Sequence, residues 1–285
     1  MSWIGLKKAI NRAGTQVMLK AGQIEQTVDK EFEFEEKRYR VMESNSIALQ
    51  KKLRSYLESL KMLTKSQLNI AELIDSFYGQ ESHMPHHFTN PITETEFDLF
   101  QNLSGEYFST LQKLNNQVIK DLEQPYNQTV LNPIARFNSY YVEINEAIKK
   151  RNHKLLDYDA MRNKLKKLID TPQPEYSNYE TKFKEVNDEL IETESKYVEI
   201  NEKLKTELPK LINMRIAFFD PSFESFVKIQ LRFFNENYQY FHDLQSKLDA
   251  KTKMDYAEGK LDEKIDDVLS KMRALDITGK DNHIS

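Results

Sequence analysis

Residues 25–78 read EQTVDKEFEFEEKRYRVMESNSIALQKKLRSYLESLKMLTKSQLNIAELIDSFY, 54 residues without a glycine or a proline. In a heptad register the inward positions are Val28, Phe32, Glu35, Tyr39, Met42, Ser46, Leu49, Leu53, Tyr56, Leu60, Leu63, Gln67, Ile70, Ile74 and Phe77. Twelve of these 15 are apolar or aromatic, spaced alternately four and three apart. That is the 3.5-residue period of a helix feeding a coiled-coil seam. At 1.5 Å per residue the helix would be roughly 80 Å long. It cannot bury its seam against itself, so the rest of the chain must supply long partners. Glu35, Ser46 and Gln67 interrupt the seam, and contacts that choose a partner are expected there.

Composition agrees with a helical rod. Glycine is scarce, 7 in 285, and none occurs between Gly105 and Gly259. Sheet-containing folds need glycine turns more often than that. There is no cysteine, which excludes disulfides, thiol catalysis and cysteine-ligated metal. No apolar run approaches the length that spans a bilayer, and the N-terminus has no hydrophobic core of signal-peptide type. A cytosolic protein is expected.

The net charge of −4 conceals two basic islands. Residues 1–24 hold Lys7, Lys8, Arg12 and Lys20 and no acid. Residues 149–167 hold Lys149, Lys150, Arg151, Lys154, Arg162, Lys164, Lys166 and Lys167 against Asp157 and Asp159. The remainder is strongly acidic. Basic islands on an acidic body point to an anionic partner met at defined places.

The first island is also amphipathic. In residues 2–21, Trp3, Leu6, Ile10, Ala13, Val17 and Ala21 share one arc of a helical wheel. Lys8, Arg12, Thr15 and Gln16 lie opposite, and Leu19 falls on that polar side. One reading is a helix lying in a membrane interface through Trp3, Leu6, Ile10 and Val17. The other is a helix docked on the protein's own core. Gly5, Gly14 and Gly22 weaken an isolated helix here, which favours a segment that folds only on its surface.

Gly79–Pro91 reads as a loop, in which His83, His86 and His87 lack a completing metal ligand set, so no metal and no cofactor is expected. A second helix runs from about Thr93, with Glu96 completing a capping box, to about Ile169. Its stripe is Phe100, Leu103, Tyr107, Leu111, Leu114, Val118 and Leu122, then Ile134, Phe137, Tyr141 and Ile144. Pro125 and Pro133 kink it, or break it near Asn127–Asn132. After the turn DTPQPEY a third helix runs from about Tyr176 to about Leu248, kinked at Pro209 and Pro221. Its seam is Tyr179, Phe183, Val186, Leu190, Thr193, Tyr197, Ile200 and Leu204.

Nine aromatics fall in the 24 residues 218–241. They cannot all face one seam: the alternative is an unusually aromatic intramolecular core, but three helices offer too little interior, so Phe218, Phe219, Phe223, Phe226, Phe233, Phe234, Tyr238 and Phe241 are assigned to a dimer interface. The organisation is therefore an amphipathic helix (1–24), a body (25–250) and a tail (251–285). The tail is weakly helical over 257–275, through Leu261, Ile265, Val268, Leu269 and Met272, and its last ten residues read as disordered. The fold class is all-α: three long kinked antiparallel helices in a curved coiled-coil bundle behind an amphipathic N-terminal helix.

Several separated motifs resemble one family. Residues 148–165 (IKKRNHKLLDYDAMRNKL) and 204–215 (LKTELPKLINMR) are similar to N-BAR domains of the amphiphysin/Rvs type. The opening WIGLKKAINRAG and the later FFDPSFESFVKIQLRF resemble the short, BAR-only type of yeasts. The resemblance covers residues 1–250. It implies a crescent-shaped six-helix dimer that binds curved anionic phospholipid membrane and inserts its N-terminal helix as a wedge. It further implies a role in endocytic scission and a link to the actin machinery. The short type pairs with a longer BAR protein carrying a Src-homology-3 domain. By position, Lys149, Lys150, Arg151, Lys154 and Arg162 would face the concave surface, and Lys164, Lys166 and Lys167 would lie nearer the tip. Amphiphysin-type tips carry lysines in the turn itself, where this chain has DTPQPEYSNYE, so weight shifts to the basic run before it.

Other classes fit less well. A cytoskeletal or tethering coiled coil would use the basic run to bind an acidic protein, not lipid. Nucleic-acid binding lacks a basic stretch interleaved with stacking aromatics. An enzyme would need a phosphate loop or a catalytic constellation. Asp157 and Asp159 read instead as salt-bridge partners within and between helices.

Overall fold

The computed structural model describes residues 3–79, 94–172, 178–247 and 250–275. The histidines of the loop after residue 79, Thr93 of the expected capping box, most of the 170–176 turn and the last ten residues lie outside these. Every element among the described residues is helical: α1 (Trp3–Lys20), α2 (Lys30–Gly79), α3 (Glu94–Lys113), α4 (Ile119–Tyr126), α5 (Asn132–Ser139), α6 (Tyr141–Asp170), α7 (Tyr179–Lys247), α8 (Ala250–Ala257) and α9 (Leu261–Arg273).

The starting point of α2 is set by Asp29. Its Oδ1 accepts the Phe32 N–H at 2.9 Å, which satisfies one of the donors a helix start leaves free. The α3–α6 stretch does not break at its prolines. It passes through two π-helical turns, Leu114–Val118 and Asn127–Leu131. Ile119 N–H reaches back to Leu114 O and Asn132 N–H to Asn127 O, so each turn holds one extra residue. Neighbouring residues can then both face inward, and Val118 with Ile119, and Val130 with Leu131, are buried. The second π turn ends beside Pro133, which has no N–H to give to the helix behind it. Pro209 and Pro221 both lie within the continuous helix α7.

Contacts gather the chain into two compact units, Met1–Glu58 with Glu123–Ile229, and Ser59–Leu122 with Gln230–Ser285. The first is built around Phe32, Tyr39, Met42, Phe137, Tyr141, Ile148, Leu204, Leu208 and Ile212. Tyr39 meets Tyr141 edge to face at 5.9 Å, and Tyr126 donates its hydroxyl to Leu53 O at 2.8 Å. As α2 advances from 39 to 53 its partners retreat from 141 to 126, so the two runs are antiparallel. In the second unit Leu60, Ala71, Leu111, Leu114, Phe233 and Leu244 are buried. There Ser104 donates to Asp75 at 3.1 Å and Lys247 pairs with Glu106 at 2.6 Å.

The α7 seam expected from the sequence faces inward along its length, with Val186, Tyr197 and Leu204 buried and its other positions half-buried. The α2 seam does so only in part. Phe32, Tyr39, Met42, Ser46, Leu53 and Leu60 are buried, but Leu49, Leu63, Ile70 and Phe77 are exposed. Leu57, Thr64 and Ala71 take the inward places instead. An α-helix turns every 3.6 residues, so a strict heptad drifts by about 20° per repeat, and the packed face moves one residue on. Two of the three polar seam positions have partners within the chain. Ser46 bonds Asn138 and Glu35 holds Arg38, both within the chain. Gln67 Oε1 is buried without a hydrogen-bond partner among the described residues.

The aromatic block divides. Phe233 is 1% exposed and belongs to the core of its unit, not to a dimer interface. Phe226 is half-buried and packs on Tyr56 and Tyr126, and Phe219 is half-buried against Phe137, so both serve the intrachain core. Phe223, Phe234 and Tyr238 remain outward, and Phe218 and Phe241 are exposed too, though the Phe218 ring also meets Phe137 at 4.9 Å. Helix α9 has no buried residue, and its apolar positions are exposed.

The moved seam has a measurable signature. Leu57→Ala should cost about 2–5 kcal/mol in urea unfolding, and Leu49→Ala less than half of that. Equal losses would restore the strict heptad.

Candidate functional site

The two basic islands meet in the first unit, where α1 lies on α6. The helix docks by its polar side. Arg12 grips Asp157 with two parallel bonds, Nε to Oδ1 at 2.8 Å and Nη2 to Oδ2 at 2.7 Å. Both side chains are 22% exposed. A bidentate, partly desolvated pair of this kind is stronger than a surface ion pair. Thr15 is buried and returns its hydroxyl to Asn11 O at 2.9 Å. Leu19, the apolar residue on the polar side of the wheel, is half-buried and lies in the same groove as Leu155 and Leu156. The apolar face is left open, with Trp3 80%, Ile10 62% and Val17 67% exposed and Leu6 exposed with them. Thus α1 neither hides its stripe on the core nor lacks structure, the two outcomes expected from its wheel and its glycines. The Arg12–Asp157 pair lies on the docked, polar face.

The end of α1 is built to hold the connection to α2. Gln23 N–H bonds Met18 O at 2.9 Å and Gly22 N–H bonds Leu19 O at 3.1 Å. Gly22 takes φ +70°, the left-handed conformation this termination requires. Ile24 is then buried. Asp159, fully buried, accepts the Thr27 hydroxyl at 2.5 Å and its N–H at 3.3 Å. Arg162 donates to Glu25 O at 2.7 Å and lies 3.8 Å from Asp159.

The cations of the second island therefore differ in kind. Lys149, Lys150, Lys164, Lys166 and Lys167 are exposed. Arg162 is half-buried on the connection. Arg151 is 4% exposed and must be withdrawn from the surface set. It donates to Asn201 Oδ1 at 2.8 Å and to the Tyr197 hydroxyl at 3.0 Å, and stacks 3.9 Å over the Phe32 ring. Asn201 in turn donates to Asp29 Oδ2 at 2.6 Å. Position in a basic run could not distinguish Arg151 from Lys150, because the phase of the helix decides which one points inward. Lys154 is half-buried. Burial holds its ammonium below the ordinary lysine range, helped by Lys196, Lys8 and Arg12 and opposed by Asp157.

Lys196, on α7, thus joins the cluster and was not found from the sequence; only packing brings it beside α6. Among the described residues no group of three or more His, Cys, Asp or Glu could hold a metal ion, and no helix is long and apolar enough to cross a membrane.

Comparison with known proteins gives a consistent picture. A family model described as "BAR domain" matches residues 6–250. The chain is 56% identical to the RVS161-like protein RVS162 of Candida albicans, over 98% of this chain and 99% of that one. It is 40% identical to the Regulator of cytoskeleton and endocytosis RVS161 of the same organism, over 98% of each. The amphiphysin BAR domain from Drosophila superposes with TM-score 0.52 at 20% identity, covering 78% of this chain and 92% of that one, a likeness of fold.

The Arg151 network yields two expectations. Arg151→Met strands buried partners and should cost about 3–5 kcal/mol in thermal or urea unfolding, whereas Lys150→Met should change little. For Asp29, burial alone would raise the carboxyl pKa. The Phe32 N–H, Asn201, Lys205 and Arg151 together bring it below the usual carboxylate range. Its contribution is therefore full at neutral pH and is lost as acid protonates it. Between about pH 5 and 2 the wild type should lose more stability than Asp29→Asn, and parallel acid profiles would count against this role.

Proposed function

The chain belongs to the BAR domain family, and we propose that it senses and shapes the curvature of anionic membrane as one half of a BAR dimer. The setting is endocytic vesicle scission and organisation of the cortical actin patch, at the cytoplasmic side of the plasma membrane. A relative 40% identical, named for regulation of the cytoskeleton and endocytosis, supports that setting. Residues 1–24 act as the wedge, 25–250 as the BAR body and 251–285 as a tail.

One observation carries the reading. An outward apolar stripe and a run of exposed lysines occupy the same unit, on helices in contact. Each Lys or Arg near an anionic leaflet contributes about 1 kcal/mol, within a Debye length. The contact set is Lys7, Lys8, Lys20, Lys149, Lys150, Lys164, Lys166 and Lys167, with Lys154 and Arg12 at the α1 seat. Trp3, Leu6, Ile10 and Val17 enter the interface, where an aromatic and aliphatic face is stable. A second copy or a longer Src-homology-3-bearing BAR protein covers the exposed Phe218 and Phe223 in the first unit, and the exposed Phe234, Tyr238 and Phe241 in the second. Their exposure on one chain supports an interface.

Reversing Lys149, Lys150, Lys164 and Lys166 to Glu should lower co-sedimentation with anionic liposomes by more than about a hundredfold. The oligomer size in solution should not change. Unaltered binding would remove the lysine run from the site. Failure of the wild type to bind protein-free liposomes at low salt would favour the acidic-protein tether.

A further inference from the structure

Between α2 and α7 the first unit carries a cleft of about 530 Å³. Its floor is Met42 and Ile212, both buried in the core. Phe34 and Val41 stand exposed on its α2 wall. Lys37, Arg38 and Arg215 line it, and no carboxylate does. Arg38 is held by Glu35 on its own helix and lies 5.6 Å over the Phe34 ring. Arg215 is half-buried, and its guanidinium turns back to the Ile212 carbonyl. Neither Arg215 nor Lys37 has a carboxylate partner among the described residues. An apolar floor under unpaired cations suits a helix with an apolar stripe and carboxylates beside it.

The chain holds a helix of that description, beyond the residues 6–250 that the family model matches. On α9, Leu261, Ile265, Val268, Leu269 and Met272 share one arc of the wheel, and all are exposed. Asp262 and Asp266, one turn apart, flank the arc and pair with no cation among the described residues. Lys264 and Lys271, on the other flank, are engaged by Asp255 and Asp267. Arg273 shares the acidic flank, two turns beyond Asp266 at the end of the helix. With four carboxylates against three cations, α9 suits an anionic bilayer poorly.

Length decides which copy supplies the helix. Arg215 and Lys247 lie 32 residues apart along the continuous helix α7, about 48 Å at 1.5 Å per residue. Ala250–Arg273 is 24 residues, about 36 Å with α8 and α9 helical as they are. The tail therefore falls short of its own cleft.

We propose that the cleft receives α9 of a second copy of this chain, its apolar stripe on Phe34, Val41, Met42 and Ile212, and Asp262 and Asp266 against Lys37 and Arg215. The proposal rests on the pairing of BAR chains stated above and adds a tail-to-body contact to it. Each copy gives a tail and offers a cleft, so a two-fold pair makes the contact twice.

The chain has no cysteine, so introduced thiols report contact cleanly. Val41→Cys and Val268→Cys, both at exposed positions, are made as separate full chains, mixed and oxidised. A disulfide-linked dimer with one of each chain, identified by mass, is the expected product. Ile265→Asp in the Val268→Cys chain should slow its formation at least about tenfold. Lys37→Glu with Arg215→Glu in the Val41→Cys chain should slow it likewise, and Asp262→Lys with Asp266→Lys in the other chain should restore it. No mixed product, a rate indifferent to these substitutions, or a disulfide closed within one chain that carries both cysteines overturns the proposal. Sedimentation of the wild type separates the two readings. If copies pair and the mixed product is absent, the tail contact falls and the pairing stands. If the wild type sediments as a monomer, the pairing of like copies falls with it.

Discussion

A guanidinium buried where three helices converge is the constraint on which the first unit depends. Arg151 comes from α6, its hydrogen-bond partners Asn201 and Tyr197 from α7, and the Phe32 ring beneath it from α2. Through Asn201 it reaches Asp29, which caps the start of α2. A buried cation must be fully satisfied, and this network supplies donors and acceptors in one fixed geometry. It therefore ties the start of one helix to the middles of the two others. An apolar core could slide by a turn at similar cost; this one cannot without stranding a charge. Lys205, which pairs with Glu31 at 2.6 Å, extends the same clasp to the surface.

Much of the helical architecture was legible because period and composition are local properties. The α7 seam and the stripes of Leu111–Leu122 and Ile134–Tyr141 needed only spacing. The α2 seam was legible as far as Leu53 and then misplaced, since a heptad count does not say whether a helix supercoils to follow it. The π turns were invisible for a related reason. Val118 beside Ile119 reads as a stripe with a spare apolar residue, and only the backbone reveals that both face inward. The aromatic block was over-assigned to an interface. Composition gave the number of rings, but the azimuth on α7 separates Phe233 from its neighbour Phe234.

The site was legible as charge and not as geometry. Counting cations located both islands, yet it placed Arg151 with its exposed neighbours and missed Lys196. The wheel of α1 identified an apolar face correctly. It could not tell which face docks, because the contact partner of that face, Asp157, lies 145 residues away in sequence. Leu19 was the available signal. An apolar residue on a polar face is a blemish for a helix floating at an interface and an asset for one whose polar face is seated against protein.

The connection after α1 has a mechanical consequence. With Ile24 buried and Glu25 and Thr27 bound to α6, any departure of α1 must pivot near Gly22. The arm from there to Trp3 is about 29 Å at 1.5 Å per residue. A released stripe therefore searches a small shell fixed to the body, and beside any surface that the body already touches its local concentration is about millimolar, as for other short tethers. Under the membrane reading proposed above, insertion would be a second, intramolecular step whose rate follows the leash and not the protein concentration. Lengthening residues 21–29 would slow it without altering a single contact.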